Sequence, residues 1–220
     1  MAMAAHSGIA MINADYLRAV QYLSPAFPIG AFAYSQGLEY AISAGLVTDA
    51  GSLQDWIAAQ LSFGTARMDA ILIAHARSGD LQDLADLAYA FASSAERDLE
   101  LREMGRAYVA QISHLKGQDV PALPLPVAIG ASTRGLDVPT ADILALFLQG
   151  LVGQIVSVGV RFIPLGQSVG QEVLTSLAPL ILDIAAQAAR AELEDISTST
   201  IGADMAQMWH ETQEVRIYRT

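Results

Sequence analysis

Apolar residues recur along most of this chain at intervals of three and four positions, the spacing that lines one face of an α-helix. Residues 15–23 show it first, with Tyr16, Leu17, Val20 and Leu23 on one side. No stretch alternates apolar and polar residues regularly enough to predict a strand. The pattern therefore predicts an all-α protein, built as a single helical domain.

Capping and breaking residues divide this pattern into about eight to ten helices. Ser52, Asp80 and Ser94 are predicted N-caps, and Gly45 suits the left-handed position that closes a helix. Pro179 is expected to kink the last long helix. The predicted helical stretches are 15–23, 35–45, 52–61, 67–75, 81–91, 95–115, 139–162 and 168–194.

Two proline-rich segments cannot continue a helix. Residues 25–30 contain Pro25, Pro28 and Gly30. They predict an ordered corner, and ordered loops of this kind often present binding surfaces. Residues 120–126 contain three prolines among apolar residues, which predicts a connector that lies against the core.

The chain shows no internal repeat and no shift of composition that would separate two folded halves. We therefore expect one helical domain over residues 15–194, preceded by a flexible N-terminus, residues 1–14, and followed by a C-terminal tail, residues 195–220. The tail ends in Trp, Tyr and Arg residues, which are enriched at the centres of interfaces. It is predicted to bind partners and to become ordered when it does so.

Composition narrows the function classes. The 220 residues are 53% hydrophobic and 16% charged, which is enough apolar material for a core. Twelve Lys and Arg residues stand against 23 Asp and Glu, and the formal charge of -11 disfavours nucleic acid as a partner. The absence of cysteine excludes thiolate chemistry, and together with a start that lacks secretory features it favours the cytoplasm.

Residues 143–160 form an uncharged run, a borderline length for a membrane-spanning helix. The run contains Gln149, Gln154 and Ser157, and its flanks lack the basic and aromatic residues that anchor spanning helices. A buried core helix explains the run equally well. No membrane is therefore expected, and residues 139–162 are the candidate central helix.

No complete catalytic or metal-binding motif is present. His210 and Glu211 begin like the zinc-protease motif, but that motif needs a second histidine at position 214, which is Glu. His210, Glu211 and Glu214 would make only a weak, unselective metal site, and hydrogen bonding to a partner is the alternative. No phosphate-binding loop occurs, and the acidic pairs are typical of solvated helix faces. We therefore predict no catalytic residue, no metal site and no enzymatic activity.

Three sequence blocks resemble the urease accessory protein UreF family. They are LSPAFPIGAFAYSQGLE at residues 23–39, RFIPLGQSVGQ at 161–171 and HETQEVRIYR at 210–219. Residues 99–102 and the proline-rich connector are similar in layout to the family. The chain departs from it at Ala31, where a second glycine is frequent, and at Thr220, where serine is usual.

The resemblance implies an all-α accessory protein that forms a homodimer and acts as a nickel-insertion chaperone in urease maturation. It implies as partners the accessory protein UreD (or UreH), the GTPase UreG and apo-urease. Nickel and GTP would be handled by the partner complex, with no cofactor bound directly. The matching blocks mark these residues for partner binding: Phe32, Tyr34, Ser35, Glu39, Arg161, Gln167, Gln171, His210, Glu211, Arg216 and Tyr218.

An alternative hypothesis places the protein among the regulators of GTP hydrolysis. In that case Arg161 would act in trans on the nucleotide of UreG, because an arginine can stabilise the charge that develops in phosphoryl transfer.

Overall fold

The computed structural model describes residues 13–220, which form ten α-helices and two short 3-10 turns with no strand among them. The all-α prediction is confirmed. The predicted flexible N-terminus, residues 1–14, lies almost wholly outside the described residues. The helices are α1 Ala14–Leu23, α2 Leu38–Ser43, α3 Ala50–Phe63, α4 Thr65–Ala76, α5 Leu81–Ala90, α6 Ala95–Lys116, α7 Leu125–Thr133, α8 Thr140–Phe162, α9 Gln167–Ala188 and α10 Ile201–His210.

Side-chain caps fix where several helices begin. Asp49, Asp80 and Ser94 accept backbone N–H groups from the first turns of α3, α5 and α6. Ser52, the predicted N-cap of α3, instead lies in the first turn, where its hydroxyl accepts the N–H of Asp49 and completes a capping box. The sequence offers two good capping residues three positions apart, and the earlier one begins the helix.

The centre of the core consists of α4 and α7, which pack directly against each other. All but one residue of α7 are buried, so this helix has no solvent face. Around this pair, α6 covers α7, α8 and α9 pack along each other, and α3 lies against α9. The predicted central helix, α8, has the expected bounds, but only one face of it is buried.

The helix α7 is absent from the prediction because prolines surround its start. Pro124 is its N-cap and Pro126 lies in its first turn, where the missing N–H would have no intrahelical partner in any case. The predicted contact of the proline-rich connector with the core is confirmed, since Leu123 and Leu125 are buried. Farther along the chain, α9 contains Pro179 as predicted but ends at Ala188 instead of residue 194.

Two helices, α8 and α9, are long and apolar enough to cross a membrane by length and composition alone. This is weak evidence for a span, because core helices of soluble proteins pass the same test. The most apolar window of α8 is 44% buried within the described protein, and that of α9 is 33% buried. Both helices use part of their apolar surface against each other and against the core.

The region after α9 differs from the expected mobile tail. Residues 201–210 form α10, which packs against α2 and α6. Beyond it the chain returns to the corner, and His210, Tyr218 and Thr220 are buried there. The contacts that order this region come from distant parts of the chain.

Close packing of α4 and α7 depends on Gly130. A Cβ at this position would lie 2.5 Å from the Cβ of Ala76 and 2.6 Å from the carbonyl oxygen of Ile73. At Gly153, inside α8, a Cβ would meet no atom within 4 Å.

We predict that Gly130→Ala lowers the free energy of unfolding by about 1–3 kcal/mol, because the two helices must move apart. Gly153→Ala is the matched control and should raise it by roughly 0.5–1 kcal/mol, through the higher helix propensity of alanine. Chemical denaturation of both variants measures the difference. Equal effects of the two substitutions would contradict the close approach of α4 and α7.

Candidate functional site: the corner and the C-terminal segment

The corner predicted at residues 25–30 extends to residue 39 in the structure, and backbone in the left-handed region shapes it. Gly30, Gln36 and Gly37 have φ angles of 73°, 53° and 78°. Glycine adopts this conformation at little cost. At Gly37 the backbone of α10 also comes so near that a Cβ would lie 2.8 Å from the amide nitrogen of Gln207. Position 37 therefore needs glycine for two reasons: its φ angle is positive, and the missing Cβ lets α10 lie directly on the corner.

The C-terminal segment, residues 211–220, lies across this corner. The N–H of Ser35 donates to the carbonyl oxygen of Thr220 over 2.8 Å, and the N–H of Arg219 donates to that of Ala33 over the same distance. The hydroxyl of Ser35 donates to the Thr220 carbonyl as well. These bonds join the C-terminal segment to the corner through main-chain atoms.

Glu39 fixes the segment from the protein side. This carboxylate, on α2, is 2% exposed, and its two oxygens accept the N–H groups of Ile217 over 2.8 Å and of Tyr218 over 2.9 Å. The Nε2 atom of His210 lies 3.1 Å from Glu39 Oε2. A buried carboxylate is stable only when its oxygens are hydrogen-bonded, and here the C-terminal segment and α10 provide the partners.

His210, at the end of α10, lies between two carboxylates and is fully buried. Its Nδ1 atom is 2.8 Å from Glu96 Oε2, opposite the contact with Glu39. Arg216 donates to Glu96 Oε1 over 2.8 Å. Burial raises the pKa of the Glu96 carboxyl, and the His210 contact and the Arg216 charge oppose that rise. We call Glu39, Glu96, His210 and Arg216 the clamp.

A second group of polar contacts holds the end of the segment. The hydroxyl of Tyr34 donates to Glu103 over 2.8 Å, and the Arg219 guanidinium lies 2.6 Å from the same carboxylate. Burial and the neighbouring Glu103 raise the pKa of Tyr34 above its usual value. The hydrogen bond from Tyr34, with Arg219, lowers the pKa of Glu103. The tyrosine is therefore a neutral donor and the glutamate an anion at neutral pH.

A cavity of about 340 Å³ lies under the corner, with walls from α1, α6 and α8. Arg161 and Tyr218 belong to its lining, and the Arg161 guanidinium donates to the Tyr218 hydroxyl over 3.3 Å. The Tyr218 ring also packs on Phe162, with ring centroids 5.6 Å apart. The docked C-terminal segment is therefore part of the cavity wall. Other lining side chains are Tyr22, Phe32, Met104, Tyr108, Phe147 and Leu151.

Three buried charged residues also line this cavity. Arg97, on α6, contacts Asp69 on α4 at 2.5 Å and Glu100 at 3.3 Å, and no side chain of the three is more than 6% exposed. Burial would lower the pKa of Arg97, but the two carboxylates outweigh it and keep the guanidinium charged. Burial raises the pKa of Asp69 despite the nearby Arg97. The group joins α4 to α6 through one cation.

We predict that Arg97→Met lowers the free energy of unfolding by about 3–5 kcal/mol, because Asp69 and Glu100 would remain buried without their cation. Arg102→Met on the same helix is the control. Arg102 pairs with Asp98 at the surface, where solvent screens the interaction, so its loss should have little effect on stability. Urea unfolding curves of the two variants give the comparison, and an Arg97→Met protein as stable as Arg102→Met would refute the proposed bridging role.

The structure brings most of the predicted partner-binding residues together. Those that meet where the segment lies on the corner are Tyr34, Ser35, Glu39, Arg161, His210, Arg216 and Tyr218. Glu211 lies beside them and accepts the N–H of Ala95, at the start of α6. Gln167 and Gln171 lie apart from this group, exposed in the first turns of α9.

Burial separates these predicted residues into two kinds. Five of them are at most 4% exposed and can affect a partner only through the surface that they position: Tyr34, Ser35, Glu39, His210 and Tyr218. Phe32, which is 74% exposed, together with Arg161, Gln167, Gln171 and Arg216, lies at the surface. Their direct contact with a partner stays a prediction.

The sequence interpretation missed the acidic half of this site. Glu96, Glu100 and Glu103 follow one another at intervals of four and three, so they lie on one face of α6. All three make ion pairs with the rest of the site. The signal available in the sequence was the helical spacing of these three glutamates, one of which, Glu100, lies within the family-like residues 99–102.

Within residues 13–220, no group of three His, Cys, Asp or Glu side chains has the arrangement of a metal site. The ring nitrogens of His210 are already occupied by the two carboxylates. The predicted absence of a metal ligand stays a prediction for the chain as a whole.

The fold and the site together define an all-helical protein whose C-terminal segment docks on the corner through a buried polar network. A sequence model of the UreF family matches residues 47–178. The chain is 53% identical to the urease accessory protein UreF of Cereibacter sphaeroides strain KD131, over 95% of this chain and 100% of that protein. It is 45% identical to UreF of Dinoroseobacter shibae, over 93% and 98%, and 40% identical to UreF of Rhodopseudomonas palustris strain HaA2, over 94% of each. This chain belongs to the UreF family of urease accessory proteins.

Proposed function

We propose that this protein is a scaffold for urease maturation that performs no covalent chemistry itself. It would bind a UreD-type (UreH-type) accessory protein and the GTPase UreG and help that complex deliver nickel to apo-urease. Nickel is cargo in this proposal, and GTP belongs to the partner. Family membership and the predicted partner-binding residues support the assignment, and the cytoplasm is the compartment that fits it.

The observation that carries the proposal is the surface of the docked C-terminal segment. Val215 and Ile217 are 81% and 76% exposed, although the backbone between them is held by the clamp. Trp209 is 43% exposed at the end of α10, where its ring lies 5.3 Å from that of Tyr40. Exposed apolar side chains on rigid backbone are typical of interface centres, because little conformational entropy is lost when they are covered. We infer that this surface contacts the UreD-type partner.

We predict that Ile217→Asp weakens binding of the UreD-type partner at least about tenfold, which corresponds to roughly 1.4 kcal/mol. The side chain points into solvent, so helical circular dichroism and thermal stability should not change. Leu182→Asp is the matched control, since Leu182 is 63% exposed on α9. Calorimetric titration gives the affinities, and nickel-dependent activation of apo-urease in a defined mixture shows whether function follows.

If Ile217→Asp binds as tightly as the Leu182→Asp control and the unmodified protein, the contact surface is elsewhere. If omission of the protein leaves urease activation unchanged, the scaffold function itself is wrong. A homodimer, which the family resemblance implies, can be measured on the same samples by light scattering.

A second candidate function rests on the position of Arg161. Its side chain is at the surface although it also touches Tyr218, so it is accessible to another protein. An arginine supplied in trans can accelerate GTP hydrolysis by about 10³-fold or more.

The scaffold proposal predicts that Arg161→Ala leaves the single-turnover rate of GTP hydrolysis by UreG unchanged. Any effect of this substitution should be on the affinity of the protein for its partners. Arg190→Ala, at another exposed arginine, is the control. A large stimulation by the unmodified protein that disappears only in Arg161→Ala would instead establish the regulator of GTP hydrolysis.

A further inference from the structure

The cavity under the corner contains a buried charged group whose hydrogen bonds are incomplete. Asp69, Arg97 and Glu100 belong to its lining, each is at most 4% exposed, and we call these three residues the floor. Asp69 Oδ1, Glu100 Oε2 and Arg97 Nε have no hydrogen-bond partner within residues 13–220. Buried polar atoms are almost always paired, so three unpaired atoms beside one cavity indicate a site for a molecule with matching groups.

The charge of the floor is incomplete as well. One guanidinium is shared between two carboxylates, at 2.5 Å from Asp69 and 3.3 Å from Glu100. The other contact of Glu100 is a neutral one, an N–H that Gln36 donates over 2.9 Å. Burial raises the pKa of the Asp69 carboxyl, Glu100 adds to that rise, and Arg97 opposes it without cancelling it. A second cation at the floor would therefore be favourable, because one cation cannot compensate two buried carboxylates.

The walls of the cavity suit the apolar part of such a cation. Tyr22, Tyr108 and Phe147 belong to them, and the Tyr108 ring packs on Phe27 with centroids 5.2 Å apart. Aromatic faces attract cations, because the quadrupole of the ring makes them negative. Arg161 is the remaining charged residue of the lining, but it is exposed, so solvent screens its charge. The volume of about 340 Å³ is typical of a site for a small molecule.

We propose that this cavity binds a small organic cation, in which a positively charged head with several N–H donors is attached to an aromatic or other apolar body. The head would donate to Asp69 Oδ1 and Glu100 Oε2, and an oxygen beside it would accept from Arg97 Nε. The body would lie among the aromatic walls. An anion would meet two carboxylates, and a purely apolar molecule would leave the floor unpaired. The inference concerns this chain alone and does not depend on the proposed scaffold function.

Benzamidine, benzamide and benzoate test the proposal, because they have nearly the same shape and differ in the charge of the head. Benzamidine should bind at least about tenfold more tightly than benzamide, since hydrogen bonds between charged groups are the stronger ones. Benzoate should bind more weakly than both. NMR titration of the full chain measures the affinities, and the amide signals that shift most should belong to residues of the cavity lining. No binding of benzamidine, or equal binding of benzamidine and benzamide, would overturn the proposal.

Two variants distinguish the cavity from a general attraction of cations to this acidic protein. Glu100→Gln keeps the size of the side chain and leaves one cation against one carboxylate, so the preference for benzamidine over benzamide should disappear. Gly153→Leu narrows the cavity from α8 without changing the floor, and benzamidine should bind at least about tenfold more weakly. A Cβ at Gly153 meets no atom within 4 Å, so this variant should fold even if Glu100→Gln does not.

Gly202→Leu is the matched control for the narrowed cavity. Gly202 is an exposed helical glycine on α10, a Cβ there also meets no atom within 4 Å, and it does not line the cavity. This variant should bind benzamidine like the unmodified protein, and circular dichroism shows whether each variant is folded. Benzamidine binding that survives unchanged in Gly153→Leu, or a preference for benzamidine that survives in folded Glu100→Gln, would place the cation elsewhere and refute the site.

Discussion

The buried carboxylate of Glu39 is the interaction on which the rest of the site depends. It lies in the first turn of the short helix α2 and accepts two consecutive backbone N–H groups from the C-terminal segment, with His210 as a third contact. A carboxylate in the protein interior is costly unless every oxygen is paired. The corner therefore cannot be completed by α2 alone, and the folded state of the N-terminal region includes the C-terminal segment.

Because of this dependence, the buried and the exposed side chains of the C-terminal segment are held by the same contacts. Tyr218 is buried against Phe162 and helps to line the cavity, while Ile217, its neighbour, extends into solvent. The same backbone hydrogen bonds to Glu39 fix both side chains. A change in the clamp thus alters the cavity wall and the exposed apolar surface together. If a partner binds over Ile217, its binding and the docking of the C-terminal segment stabilise each other by the same free energy.

Helical periodicity was sufficient to predict the fold class and most helix bounds, because each amphipathic face is a local property of the sequence. It failed where local signals conflict with tertiary context. Two prolines concealed α7, although both occupy positions that tolerate them. The polar composition after Asp195 suggested a tail, yet Gln207 and His210 are buried there because Ser94, Glu39 and Glu96 supply their partners. Those partners are more than a hundred positions away, and single-sequence periodicity does not detect them.

The predicted partner-binding residues show the same limit for function. Family-like blocks identified Glu39, His210 and Tyr218, but their burial means that such residues can be retained for folding as well as for binding. A residue serves folding and binding at once when its buried contact holds a neighbouring exposed side chain in place. Glu39 needs the C-terminal segment for its own hydrogen bonds, and the segment in return holds Val215 and Ile217 in an exposed position. The exposed surface at Val215 and Ile217 is therefore as specific as the buried polar contacts that hold its backbone.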